Sequence, residues 1–130
     1  MKILLTGAFG NVGQSTLKEL LKRHYNIRVF EIKNRKNRRI ASTYKNQIEI
    51  LWGDLRNPKD VDRAVHECDV IIHVAAIIPP LADKKPKLAE FVNVKGTFNV
   101  IEAIKKQKKK PKLIFTSSVA IYGDRLNNPL

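Results

Sequence analysis

The sequence predicts an α/β domain built on a doubly wound parallel β-sheet, and two observations carry that prediction. Short apolar runs alternate along the 130 residues with segments of helical periodicity. The apolar runs are nearly continuous, as expected when helices cover both faces of a sheet. The length corresponds to about one domain, residues 1–130. A composition of 43% hydrophobic residues with one cysteine excludes a disordered chain, a disulfide framework and a multi-cysteine zinc site.

The first half of the chain contains three predicted strands and two predicted helices. An apolar run predicts the first strand at residues 2–6, and apolar residues at helical spacing predict a helix at residues 11–24. A second strand is expected at residues 27–32 and a third at residues 48–52. The segment between them, residues 38–44, is predicted as a short helix. This half therefore alternates strand and helix.

The second half of the chain continues the alternation. Asn57 followed by Pro58 predicts a helix start, because asparagine caps helices and proline suits their first turn, and this helix runs to about residue 67. A fourth strand at residues 70–74, a helix at residues 86–107 and a fifth strand at residues 113–116 follow. Right-handed crossovers then predict the strand order 3-2-1-4-5.

Three spaced glycines follow the first predicted strand and begin the first predicted helix. Gly7 permits a tight turn, Gly10 lets the backbone approach a pyrophosphate, and Gly13 lets the helix pack closely on the sheet. The N-terminus of the helix offers unpaired N–H groups to phosphates. Such a loop directly after the first strand indicates a Rossmann-type dinucleotide-binding fold.

Polar residues follow the second and third strands, at the sheet edge where ligands bind in this fold. Glu31 can accept hydrogen bonds from ribose hydroxyls and repel a 2′-phosphate, whereas Arg35 and Lys36 could instead attract that phosphate. Asp54 can accept from the adenine amino group. An ordinary surface acid at Glu31 and a turn-forming Asp54 are the alternatives.

Small residues and hydroxyls follow the fourth and fifth strands. Ala75 and Ala76 allow the backbone to lie against a cofactor, and His73 before them is interpreted as a packed strand residue rather than a catalyst. Ser117 and Ser118 come at the centre of the carboxyl edge, where a hydroxyl could bind a substrate oxygen, although a serine pair is also common in turns.

These motifs together resemble the extended short-chain dehydrogenase/reductase family, the NAD-dependent epimerases and dehydratases that act mainly on nucleotide sugars. The matching segments are TGAFGNVG at residues 6–13, GDL at 53–55, HVAA at 73–76, NVKGT at 93–97 and SSVAIYG at 117–123. They cover essentially the whole chain in the family's order. The resemblance implies a Rossmann domain followed, beyond these residues, by the last strands and a substrate region.

The resemblance also implies a role for each matching residue. The pyrophosphate would lie against Gly7, Gly10, Asn11, Val12 and Gly13. The ribose would lie at Glu31, near Arg35, and the adenine at Asp54 and Leu55. The nicotinamide half would lie along Ala75, Ala76 and Asn93. The family's catalytic serine falls on Ser118, with Ser117 close to the cofactor.

The sequence departs from the family at the proton-transfer pair, a tyrosine followed four residues later by a lysine. Tyr25, Tyr44 and Tyr122 are followed at that spacing by valine, isoleucine and leucine. Tyr122 belongs to the serine motif and is not interpreted as the catalyst. We therefore expect the N-terminal, NAD-binding part of a longer enzyme, inactive by itself. A non-catalytic dinucleotide sensor on the same fold is the alternative.

Charge and composition complete the expectations about partners. Most of the net charge of +13 comes from two basic runs, residues 33–39 and 105–112, which contain no aromatic residue for base stacking. They are interpreted as solvated surface, so no specific nucleic acid is expected. The apolar runs are too short to cross a bilayer. The expectations are NAD, with NADP as the alternative, a nucleotide-sugar substrate, no metal, a homodimer at full length, and a cytoplasmic location.

Overall fold

The computed structural model describes residues 1–118 and 123, and its sheet confirms the predicted order. Five parallel strands are arranged β3-β2-β1-β4-β5. The strands are β1 (Lys2–Thr6), β2 (Asn26–Glu31), β3 (Glu49–Trp52), β4 (Val70–His73) and β5 (Lys112–Phe115). Since β1 lies in the centre, the loops that follow β1, β2 and β4 meet at the middle of the carboxyl edge.

Helices cover both faces of this sheet. They are α1 (Asn11–Lys22), α2 (Arg35–Ser42), α3 (Pro58–Val65), α4 (Leu81–Lys84), α5 (Pro86–Glu90), a π-helical segment (Phe91–Lys95) and α6 (Gly96–Lys106). Within residues 1–118 and 123, none of them is both long enough and apolar enough to span a membrane.

Two helical segments differ from the sequence-based expectation. Helix α2 begins at Arg35 rather than residue 38, because the Asn34 side chain accepts the Asn37 backbone N–H over 2.8 Å and caps the helix. The helix expected at residues 86–107 contains a wider π-helical turn at Phe91–Lys95. The periodicity of the apolar residues does not reveal a single π-helical turn within a longer helix.

The core is divided between the two faces by the side-chain alternation of the strands. Leu4 packs with Val61 of α3 and Val100 of α6 on one face. Its neighbours Ile3 and Leu5 pack on the opposite face, where Leu17 of α1 and Ala41 of α2 cover the sheet. This two-sided burial explains why the strands read as continuous apolar runs.

A buried arginine joins the outer strands to helix α3. Arg28 of β2 is 8% exposed, and its Nη1 donates to the carbonyl oxygens of Arg63, Ala64 and His66 at 3.2, 2.9 and 2.8 Å. These carbonyls belong to the last turn of α3 and the residues after it, where the helix provides no donors of its own. The Arg28 Nε donates to Glu49 of β3 over 2.9 Å. One guanidinium thus holds α3 against two strands.

Candidate functional site

A cavity of about 510 Å³ opens at the carboxyl edge of the sheet. Its volume lies within the range of ligand-binding pockets, roughly 300–1,000 Å³. Its walls are formed by Gly7, Phe9, Gly10, Phe30, Glu31, Ile32, Asn34, Lys36, Asn37, Gly53, Asp54, Leu55, Val74, Ala75, Ala76, Ile77, Leu81 and Val92. The loops after four adjacent strands therefore converge on one space, as the sequence predicted.

A second cavity of about 350 Å³ lies between α2 and β3. Its lining includes Arg38, Tyr44, Lys45 and Trp52 and contains no acidic residue. No residue of the glycine-rich loop lines it.

The three glycines of the first loop differ in what the fold requires of them. Gly7 has a φ of +70°, and a Cβ there would lie 2.6 Å from the Ala75 Cα. A Cβ on Gly13 would lie 2.0 Å from the Gly7 carbonyl oxygen. Gly10 has a φ of −76°, and its Cβ would meet the nearest atom at an ordinary 3.5 Å. The backbone therefore requires glycine at Gly7 and Gly13 but tolerates a side chain at Gly10.

The N-terminus of α1 is open toward an anion. Gly10 is the N-cap residue and supplies no side chain to the first-turn N–H groups, and the first turn contains no acidic residue. The N–H groups and the positive end of the helix dipole are suited to a phosphate. Asn11 and Val12, predicted at the pyrophosphate, are exposed at the start of this helix and do not form part of the cavity wall.

Glu31 joins the glycine-rich loop to helix α2. Its Oε1 accepts the Phe9 N–H over 2.9 Å, and its Oε2 accepts from Asn37 Nδ2 over 3.3 Å. The same Asn37 amide donates to the Ile32 carbonyl over 2.8 Å. Burial raises the pKa of the Glu31 carboxyl, although the hydrogen bond from Phe9 opposes this effect. The carboxylate is therefore oriented at the cavity wall by two donors.

Two of the basic residues that follow Glu31, Arg35 and Lys36, differ in their position relative to the cavity. Lys36 lines the cavity, whereas Arg35 does not, although both were predicted as candidates for a 2′-phosphate. Because α2 begins at Arg35, the two side chains leave the first turn in different directions. Lys36 is the cation that a ligand in this cavity would meet.

Asp54 is held as an ionised acceptor at the far end of the cavity. The Arg56 Nε lies 3.0 and 2.9 Å from its two carboxylate oxygens, and the Arg56 backbone N–H donates to Oδ1 over 2.9 Å. These hydrogen bonds lower the pKa of the Asp54 carboxyl. Leu55 next to it is buried, and a Cβ on Gly96 would lie 2.9 Å from its Cβ. Both predicted adenine-binding residues line the cavity.

The loop after β4 forms the opposite wall. Ala75, Ala76 and Ile77 line the cavity. Asn93 lies behind them, since its Oδ1 accepts the Ile77 N–H over 2.7 Å and its Nδ2 donates to the Ile77 carbonyl over 2.8 Å. Asn93, predicted beside the nicotinamide, is thus hydrogen-bonded to the wall segment rather than being part of the wall.

The residues after β5 are only partly described. Ser117 and Ser118 are exposed at the carboxyl end of β5, beside β4, and are not part of the cavity wall. Most of the SSVAIYG segment, including Tyr122, lies outside the described residues. His73, interpreted from the sequence as a packed residue, is buried between Thr6 and Thr97. In the described part of the chain, no three His, Cys, Asp or Glu side chains are grouped for a metal ion.

Phe9, Asn37 and Thr97 were missed by the sequence analysis. The backbone of Phe9 and the amide of Asn37 orient Glu31, and the hydroxyl of Thr97 reaches His73. One signal could have identified Asn37: Asn34 stands three residues before it, the spacing of an N-cap residue from the N–H that it accepts. Nothing in the local sequence indicates the contact of Thr97.

Comparison with known proteins assigns the chain to a family. The sequence model of the 3-beta hydroxysteroid dehydrogenase/isomerase family matches residues 4–129, nearly the full length of the chain. The chain belongs to this family. The membership and the relatives' names, which include dehydrogenases and epimerases, confirm the resemblance to the extended short-chain dehydrogenase/reductases.

Individual relatives are similar to this chain in sequence and, where solved, in structure. D-erythronate dehydrogenase of Haemophilus influenzae is 33% identical over 97% of this chain and 40% of that protein. The solved structure of Pen from Bacillus thuringiensis has a TM-score of 0.85 at 33% identity, over 94% of this chain and 38% of that one. UDP-glucose 4-epimerase of Thermus thermophilus, solved in complex with NAD, has a TM-score of 0.75 at 28% identity, over 91% and 38%. The chain thus spans about 40% of the length of these relatives.

Proposed function

We propose that these residues form the dinucleotide-binding part of an NAD-dependent oxidoreductase of the epimerase/dehydratase type. The observation that carries the proposal is Gly10. The fold tolerates a side chain there, yet the residue is glycine, caps α1 and faces the cavity that Glu31 also lines. A glycine not required by its own backbone is explained by close approach of a ligand.

The donor and acceptor groups of the cavity suit the parts of a dinucleotide. The first turn of α1 offers N–H groups to a pyrophosphate, near which Gly10 leaves room. Glu31 offers an oriented carboxylate to the ribose hydroxyls, and Asp54 an ionised acceptor to the adenine amino group. The loop at Ala75 and Ala76 presents small side chains to the remaining half. When bound, NAD accepts or returns a hydride.

The preference for NAD over NADP is proposed on the same carboxylate. Glu31 would meet the ribose at the position of a 2′-phosphate and repel it. Lys36 at the cavity wall favours the phosphate, and Arg35 lies off the wall. Because Glu31 is held by two donors, NAD is the cofactor that the arrangement favours.

We propose that the complete reaction also needs catalytic side chains that are not part of the described cavity. Ser118 is proposed to contact the substrate oxygen, with Ser117 beside the cofactor. A base that takes the proton of the substrate carbinol is also required, and the 130 residues contain no tyrosine with a lysine four positions later. We expect the chain to bind the dinucleotide without turnover. The enzyme names of the relatives favour this proposal over a non-catalytic sensor.

A nucleotide sugar is the proposed substrate of the whole protein. The support is the recurrence of UDP-glucose 4-epimerases among the relatives, at 28–30% identity. D-erythronate dehydrogenase, at 33% identity, is named for a sugar acid instead, so a hydroxylated carbohydrate is the shared chemistry. We also propose that the whole protein forms a homodimer and has no specific nucleic-acid partner.

Gly10→Val tests the proposal directly. The side chain should block the approach of the pyrophosphate and weaken NAD binding roughly ten- to hundredfold, the equivalent of one lost charge-assisted hydrogen bond. The thermal midpoint should fall by only a few degrees, because the Cβ meets nothing closer than 3.5 Å and the main cost is that valine is a poorer N-cap residue than glycine. Titration calorimetry with NAD gives the affinity, and thermal unfolding gives the stability.

Thr16→Val is the matched control, since Thr16 lies on α1, is only partly buried and is not part of the cavity wall. It should bind NAD as the parent does. Equal affinities of the parent and a folded Gly10→Val variant would contradict the proposed site. Steady reduction of NAD by the purified chain with a sugar substrate would contradict the expected lack of turnover.

A further inference from the structure

A series of hydrogen bonds centred on the buried His73 runs behind the cavity wall, from the end of β1 to the π-helical segment. Thr6 Oγ1 lies 2.6 Å from His73 Nδ1, and His73 Nε2 lies 3.0 Å from Thr97 Oγ1. At one end the Ala75 N–H donates to Thr6 Oγ1 over 3.4 Å. At the other end the Thr97 hydroxyl donates to the Asn93 carbonyl over 2.6 Å. Thr6 and His73 are each 1% exposed.

The two outer hydrogen bonds of this series determine which group donates in each of the inner ones. The Thr97 hydroxyl proton is used on the Asn93 carbonyl, so Thr97 Oγ1 is left to accept from His73 Nε2–H. A neutral imidazole that is protonated at Nε2 has an acceptor at Nδ1, which the Thr6 hydroxyl satisfies. The Thr6 oxygen then accepts the Ala75 N–H. Burial lowers the pKa of His73 to about 4, in agreement with a neutral ring at pH 7.

The same series of hydrogen bonds reaches both ends of one segment of the cavity wall. Ala75 is held directly, through Thr6. Ile77 is held through Asn93, whose amide makes two hydrogen bonds to the Ile77 backbone and whose carbonyl accepts from Thr97. The wall segment Ala75–Ile77 is thus connected to the buried imidazole from two directions. Asn93 lies in the π-helical turn, so the position of that turn determines whether its amide reaches Ile77.

We propose that His73 and Thr97 are positioning residues for the dinucleotide site, with His73 held as the Nε2–H tautomer so that the π-helical turn presents Asn93 to the wall segment. The proposal rests on the proposed function, because the wall segment is the part of the cavity assigned to the nicotinamide half. Neither side chain lines the cavity. Their effect on the ligand is therefore transmitted through Ala75 and Ile77.

Thr97→Val and Thr97→Ser separate this role from a general role in packing. Valine has nearly the shape of threonine but leaves the His73 N–H without its acceptor and removes the hydroxyl that donates to the Asn93 carbonyl, whereas serine keeps the hydroxyl. We expect Thr97→Val to weaken NAD binding about tenfold, the typical effect of one hydrogen bond. Binding of ADP, which occupies only the adenosine and phosphate end, should change less than twofold. Thr97→Ser should bind both ligands as the parent does.

The outcomes distinguish this proposal from the proposed function. If the parent chain binds neither NAD nor ADP, the proposed function fails. If the parent binds NAD and Thr97→Val binds it equally well, or loses NAD and ADP in the same proportion, the positioning role is overturned.

Nitrogen-15 NMR of the imidazoles tests the tautomer without any substitution or ligand. We expect one buried histidine with a protonated Nε2 and an unprotonated Nδ1 at pH 7. The other two histidines, His24 and His66, are exposed, so the buried signal is distinguishable. A proton on Nδ1, or a mixture of tautomers, would overturn the proposed direction of the hydrogen bonds at His73.

Discussion

Glu31 shows how much the chemistry of a single residue depends on groups that are distant in the sequence. Its place at the end of β2 follows from a local pattern, but its orientation comes from Phe9, 22 residues before it, and Asn37 in α2. A carboxylate with two such donors has one preferred orientation toward a ribose. This residue is therefore where cofactor preference is best tested.

Replacing Glu31 with glutamine should shift the preference from NAD toward NADP. The loss of charge removes the repulsion of a 2′-phosphate and leaves Lys36 at the wall to attract it. A charge-assisted contact is worth about 1.5–3 kcal/mol, so the ratio of the two affinities should change roughly ten- to hundredfold. Calorimetric titration with both dinucleotides measures the ratio.

Glu67→Gln is the control for this change. Glu67 precedes β4 at the amino end of the sheet, its side chain is 76% exposed, and it is not part of the cavity wall. Its variant should keep the affinity ratio of the parent. An unchanged ratio in a folded Glu31→Gln variant would show that Glu31 does not determine the preference.

At the scale of the elements, α3 depends on a side chain from another part of the chain. Arg28 supplies donors to the C-terminal end of α3, and it is separated from those carbonyls by 35–38 residues. Arg28 also donates to Glu49, so the same side chain supports the edge strand β3. One guanidinium thus links α3 with β2 and β3, in addition to the ladder between the two strands and the apolar packing of α3.

Arg28→Met should lower the free energy of unfolding by roughly 1.5–3 kcal/mol, the value of hydrogen bonds that involve a charged group. Urea unfolding measures the loss. Arg63→Met, in α3 itself, is the comparison, because Arg63 is exposed and pairs only with the nearby Asp60 side chain among the contacts described. An exposed pair contributes about 0–1 kcal/mol. Equal losses in the two variants would contradict the role assigned to Arg28.

At the scale of the whole molecule, the pH dependence of stability should carry the signature of the buried imidazole. The pKa of His73 is lowered from 6.5 to about 4 by burial, so the unfolded chain binds more protons than the folded one between these two values. Stability should therefore fall as the pH decreases from 6.5 toward 4, by at most about 1.4 kcal/mol per pH unit. Glu31 acts in the opposite direction, since its raised pKa favours the folded state as it becomes protonated.

Urea unfolding at pH 7, 6 and 5 measures this dependence above the range in which Asp54, Glu49 and Asp69 lose their charges, since their pKa values are lowered. A His73→Asn variant that still folds should lose the part of this pH dependence that His73 contributes. Equal dependence on pH between pH 7 and pH 5 in the parent and in a folded His73→Asn variant would contradict a buried neutral His73.

The sequence by itself predicted the strands from local signals and their order from the rules of chain topology, and the structure confirms both. Apolar runs mark the strands, and right-handed crossovers order them. Gly7 and Gly13 mark the loop, since Gly7 has a positive φ and Gly13 contacts the backbone of Gly7 in the same loop. Glu31 and Asp54 could be predicted because parallel strands bring their carboxyl ends to one edge.

Only the tertiary structure decided how the side chains at that edge are held. The start of α2 depends on a cap between Asn34 and Asn37, which are three residues apart. The hydrogen bond from Asn37 to Glu31 depends instead on how α2 packs against the sheet. The chain through Thr6, His73 and Thr97 joins residues 67 and 24 positions apart. Partners this distant become neighbours only when strands and helices have packed, and a buried polar group must find its partner there or lose the hydrogen bonds that water supplied. For this physical reason, the orientation of the site is a property of the folded molecule.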